Sequence, residues 1–143
     1  AAPGALPVGV ALSFESGVPL VYTVREPRGA GDAYAIEGAY DVGHPTVLLC
    51  NLLPDPSQAA EVIALAGRVG LEVSALIGVL DSGLGAREAL EARGWPVRCA
   101  LALEGALPAL EAAGMVSPGM GAHVRGWMAQ EQRRTAEEQL RRS

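Results

Sequence analysis

From residue 46 to residue 113, apolar runs alternate with helical stripes. Thr46–Cys50 (TVLLC) is a continuous apolar stretch, the pattern of a strand buried on both faces of a parallel sheet. Asp55 then offers a helix N-cap, Pro56 suits the first helical position, and Gln58 stands three residues after the cap. Ala59, Val62, Ile63 and Ala66 follow at the spacing of a single helix face, and Gly70 ends the segment. Glu72–Leu80 predicts the next strand and Ala86–Arg93 a helix closed by Gly94. Val97–Ala102 predicts a further strand and Glu104–Ala113 a further helix. Upstream, Ala5–Ser16 reads as a short helix with Gly17 as its stop, and Pro19–Val24 (PLVYTV) as a strand of the same sheet. Arg25–Ala35 is polar and glycine-containing, which predicts a mobile loop. Ser117-Pro118 starts a last helix running to about residue 142. Its Glu131, Arg134, Glu138 and Arg142 form a solvated face, and Val124, Trp127 and Met128 are free to dock.

Strands and helices alternating at this spacing predict βαβ units. The fold class is α/β, a Rossmann-like parallel sheet with helices on both faces. With neither repeat nor linker, residues 1–143 read as one domain.

Composition narrows the function classes. Half the residues are apolar and only 4% aromatic, so the core is built from Leu, Val and Ala. A net charge of −5 argues against a nucleic-acid partner, which needs a clustered basic face. No apolar run approaches the roughly 20 residues of a membrane span, and no leader pattern opens the chain, which predicts a cytoplasmic protein. Cys50 and Cys99 lack a CxxC spacing and read as small buried hydrophobes in a reducing compartment, with no metal site. His44 and His123 read as solvated turn or helix residues. All 11 cationic side chains are arginine, so a mechanism that needs a lysine ammonium is excluded.

Several segments, in order, carry a family resemblance. Gly17–Gly31 (GVPLVYTVREPRGAG) resembles the Gly-x-Pro-Leu-x-Tyr-x-x-Arg-Lys stretch that leads into the mobile catalytic loop of orotate phosphoribosyltransferases. Ile36-Glu37-Gly38 matches the short strand after that loop, and Val47–Leu49 the strand bearing the family signature. Asp81–Gly94 (DSGLGAREALEARG) is similar to the Asp-Arg-x-x-Gly segment and its helix, and Ala2–Pro7 (APGALP) to the diphosphate-binding turn. The resemblance reaches to about Val116 and implies a type I phosphoribosyltransferase fold. The family's front section, a hood over the base, has no counterpart. Either the chain is a fragment or the protein has lost that lid.

The resemblance also implies where substrate groups would sit, and most of those positions are altered. The family's acidic pair is Asn51 and Leu52 here. Its Thr-Thr-Gly-Gly phosphate turn falls on the stretch holding Pro54, Asp55, Pro56, Ser57 and Gln58. The two prolines have no N–H to donate, and the Asp55 carboxylate caps the helix where an anion would bind. In the loop Arg25 is kept, Glu26 reverses the charge of a lysine, Arg28 replaces another lysine, and Ala30 replaces a histidine. Ser82 stands where the family's arginine pairs with the orotate carboxylate. Pro3 and Ala5 replace a hydroxyl and a glycine of the diphosphate turn.

The expectation from these changes is a phosphoribosyltransferase homologue without catalysis. It would serve as a binding, regulatory or partner subunit for an unidentified small molecule or protein, with no cofactor. The alternative is an active orotate-type transferase of pyrimidine nucleotide synthesis with an altered site built on Arg25, Arg28 and Asn51. Only that alternative calls for Mg²⁺ with phosphoribosyl diphosphate. The resemblance further implies a homodimer.

Overall fold

In the computed structural model, which describes residues 2–28 and 31–142, three parallel strands carry the core. They are β3 (Pro45–Leu52), β4 (Glu72–Asp81) and β5 (Val97–Ala102), hydrogen-bonded in that order. Before them come a 3₁₀ turn (Pro3–Ala5), α1 (Leu6–Ser16), β1 (Val21–Arg28) and β2 (Gly31–Gly38). Helices α2 (Pro56–Arg68) and α3 (Ala86–Glu91) are the crossovers, and α4 (Leu103–Ala112) and α5 (Pro118–Arg142) follow β5. The α/β class with a helix-flanked parallel sheet is as the alternation predicts.

The punctuation residues act as expected. Asp55 caps α2, its side chain accepting the Ser57 amide at 2.7 Å. Gly17, at φ 70°, closes α1 with its N–H on the Ser13 carbonyl, a left-handed position that suits glycine. The Ser117 hydroxyl accepts the Met120 amide at 3.2 Å and starts α5. Register then sets the core. Leu48 faces Leu76, which faces Val97, and Cys50, Gly78 and Cys99 line up further along the strands. Ala59 of α2, Leu90 of α3 and Leu53 pack on that row. Gly78 is required there, since a Cβ would lie 2.8 Å from both Cys99 Sγ and Leu53 Cδ2.

Two expectations about the sheet fail. Val21–Val24 does not join the parallel sheet, and of the expected loop Arg25–Ala35 the described residues 25–28 and 31–35 are strand. Instead β1 runs on to Arg28 and pairs antiparallel with β2, from Val21 opposite Gly38 to Arg28 opposite Gly31, as a separate two-stranded sheet. Backbone pairing between the two strands outweighs the polar composition of this stretch. Pro27 is tolerated because both strands of such a ribbon are edge strands. In addition, β3 stands at an edge of the three-stranded sheet. Its Leu48, Leu49 and Cys50 are nonetheless buried, and among the described residues its other edge pairs with no strand, the Leu49 carbonyl there accepting the Ala2 amide at 2.9 Å.

Helix α5 is held at two places. The Arg125 guanidinium grips the Glu111 carboxylate of α4, with N–O separations of 2.9 and 3.3 Å. Gly121 makes room for that grip, because a Cβ there would fall 1.6 Å from Glu111 Oε1. Further along, Met128 is buried and Gln132 Nε2 donates to the Gly83 carbonyl at 2.6 Å. Val124 is half-buried, whereas Trp127 stays exposed.

Burial also affects a cysteine. Both cysteines are free, and desolvation pushes the Cys50 thiol up to about 11 from 9.0. A thiol raised in this way favours the fold below the unfolded value near pH 9, and that contribution is lost as pH climbs through about 11. A rise of this size corresponds to roughly 2–3 kcal/mol. Thermal melts from pH 8 to 11 therefore fall more steeply for the parent protein than for Cys50→Ala, and parallel curves would refute this.

Candidate functional site

In an open α/β sheet the ligand crevice lies beyond the carboxyl ends of the strands. The ends of β3 and β4 meet there, with Leu52 opposite Leu80. This edge gathers Asn51, Leu52, Asp55, Ser57 and Gln58 from the β3–α2 connection and Ser82 from the β4–α3 turn. The N-terminal 3₁₀ turn joins them, because the Asn51 side-chain amide donates to the Gly4 carbonyl. The signature strand and the turn resembling a diphosphate loop are thus in contact.

Most polar groups at this edge already have partners inside the protein. The Leu53 amide donates to the Leu80 carbonyl at 3.2 Å. Pro54 and Pro56 have no amide hydrogen. The Ser57 amide and hydroxyl both donate to Asp55 Oδ1. The Ser57 hydroxyl, then its backbone amide, hold the Asp55 carboxyl below its ordinary value, so it is ionised at neutral pH. A carboxylate therefore occupies the helix N-terminus where an anionic ligand would bind.

At the end of β4, Asp81 is buried and fully used. One oxygen takes the Gly83 amide at 2.9 Å and the other the Arg87 Nε at 2.9 Å. Ser82 follows in a turn whose Gly83 and Gly85 have φ of 72° and 86°. Met128 and Gln132 of α5 lie against Gly83, so the last helix covers part of this turn. The buried Asp81 pairs with Arg87, while the exposed Asp55 accepts both Ser57 donors through one oxygen.

Arg25, Glu26 and Arg28 are positions of β1, opposite Tyr34, Ala33 and Gly31 in the separate ribbon. Ala30 lies outside the described residues. Gly4 lies in the turn already singled out, and Met128 docks the last helix as its apolar position predicts. Arg87 and Gln132 were not foreseen as participants. Arg87 had a signal, since it stands in the first turn of α3 six residues after Asp81 and can reach back to the strand end, whereas Gln132 meets the edge only through tertiary contact.

No protein-family model matches the chain. The orotate phosphoribosyltransferase of Thermococcus kodakarensis is 29% identical over 90 residues, 63% of this chain and 49% of the relative. Among solved structures, the UMP synthase of Leishmania donovani superimposes with a TM-score of 0.78 at 30% identity, covering 90% of this chain and 28% of that one. The orotate phosphoribosyltransferase of Aeropyrum pernix gives 0.60 at 25% identity, covering 80% and 62%. The fold is that of the type I phosphoribosyltransferases, and among them the chain resembles the orotate phosphoribosyltransferases. It spans about half the length of the curated relatives it matches.

Proposed function

We propose that this protein is a non-catalytic relative of the orotate phosphoribosyltransferases and acts as a binding or partner subunit. The observation that carries the reading is the Asp55 carboxylate at the N-terminus of α2, held there by Ser57 between two prolines. Phosphate would meet a negative charge at the point where an anion site needs free N–H donors. Asn51 supports the same reading, because its amide is spent on Gly4 and Leu52 beside it has no polar group. Titrating phosphoribosyl diphosphate and Mg²⁺ into the protein tests this reading, and heat of binding in the micromolar range counts against it.

The competing reading is an orotate-type transferase with a rebuilt site. It rests on the similarity to relatives of that name, and it needs cationic groups of the β1–β2 ribbon to reach the strand ends. The two free cysteines suit a reducing compartment such as the cytoplasm. Among the described residues no helix is long and apolar enough to cross a membrane.

The subunit is further proposed to pair with a second copy. Phe14 of α1 is 86% exposed and Trp127 of α5 is 44% exposed, apolar surface that association would cover. Light scattering at micromolar concentration then reads twice the 14.7 kDa chain mass, and a monomer mass would overturn the pairing.

A further inference from the structure

We propose that α5 is a displaceable strap over the β4–α3 turn at the strand-end edge, closing on it in place of a ligand and lifting without unfolding the core. The contact is made on both sides of one residue. The Gly83 N–H is held by Asp81 Oδ1 at 2.9 Å, within the turn, while the Gly83 carbonyl accepts Gln132 Nε2 of α5 at 2.6 Å. The Met128 side chain closes on the same spot, since its Cε would lie 3.0 Å from a Cβ at Gly83. Gly83 and Gly85 take φ of 72° and 86°, and a glycine backbone has other conformations of similar energy within reach. The helix therefore selects one shape of a turn that its own sequence leaves adaptable.

What α5 offers the turn is an amide N–H donor beside an apolar group. A small molecule with the same pair of features would compete with α5 for the Gly83 carbonyl, and each would weaken the other's hold. This role rests on the strand-end edge being where the fold takes its ligand, and not on the loss of catalysis.

The strap is separable from the body. The core row of β3, β4 and β5 is packed by α2 and α3 and, among the described residues, takes no member from α5. The sheet therefore keeps its packing when α5 lifts, which is the condition for a local opening below the global one. Upstream of Met128 the helix is tied by the Arg125–Glu111 pair, whose Arg125 side chain is 47% exposed, and such surface pairs add little. The helix is also weak in its own right, with Gly119, Gly121 and Gly126 between Pro118 and Met128. Gly121 is needed to clear Glu111, but a Cβ at Gly119 or Gly126 would meet nothing within 4 Å. Packing does not ask for glycine at those two positions, and their effect is to loosen the segment between α4 and the turn.

Residue-resolved hydrogen exchange of the full 143-residue chain, run without donor or Mg²⁺, tests the strap separately from the donor titration. In the parent, the amides of Gly83 to Gly85 and of Met128 to Gln132 exchange about tenfold or more faster than the Leu76 and Gly78 amides of the core. Gly126→Ala, which firms the helix without a clash, slows the turn and the helix amides together by about fivefold, the ratio for one glycine in a helix interior. Gln132→Ala, which frees the Gly83 carbonyl, speeds both groups together. Two results would overturn the strap. One is a turn whose exchange stays the same in all three proteins while that of α5 shifts. The other is a parent in which the turn and α5 are as protected as the core.

Discussion

Restoring the family's groups one at a time yields no turnover. In Ser82→Arg, Leu52→Asp and Asn51→Asp, orotate consumption with phosphoribosyl diphosphate and Mg²⁺ stays at background. Each missing transition-state contact is worth about 3 kcal/mol, or roughly two powers of ten in rate, and several are missing together. Every such variant also keeps Asp55 at the N-terminus of α2. Asn51→Asp carries a cost of its own, since a carboxylate cannot donate to the Gly4 carbonyl and would repel it. That variant therefore melts below the parent even though it regains an acid. A single substitution that raised turnover tenfold would show a site close to competence, contrary to this account.

The second large effect is on stability. Leu90 is fully buried where α3 packs on the sheet, in the row formed by Leu48, Leu76 and Val97. Leu90→Ala removes its methyl groups and leaves a cavity, destabilising the fold by about 2–5 kcal/mol. Domains have only about 5–15 kcal/mol in total, so the melting temperature drops on the order of 10 °C. Phe14→Ala, on an exposed side chain, changes the stability of the isolated subunit by less than about 0.5 kcal/mol. Equal losses for the two variants would mean that α1, not the α3 contact, closes the core.

The contrast between these residues shows how far the sequence could be read. The strands β3, β4 and β5 were legible because a strand inside an α/β layer must be apolar, and TVLLC or EVSALIGVL allow little else. The α2 cap was legible because Asp-Pro followed by an apolar stripe is a local signal whose chemistry needs no tertiary partner. The β1–β2 ribbon was half legible: Val21–Val24 and Ile36–Gly38 read as strands, but the antiparallel pairing and the polar outer half with Pro27 did not. The candidate site was half legible. Substituted positions at the ends of β3 and β4 could be named from their order. That Asn51 holds Gly4, that Arg87 neutralises Asp81 and that α5 rests on Gly83 are contacts between distant segments, which residue spacing does not encode.

The central claim is that the strand-end edge of this fold no longer accepts the phosphoribosyl donor. Isothermal titration of phosphoribosyl diphosphate with Mg²⁺ into the purified chain measures it most directly. No saturable heat is expected up to millimolar donor, and saturable binding at micromolar donor would contradict the claim.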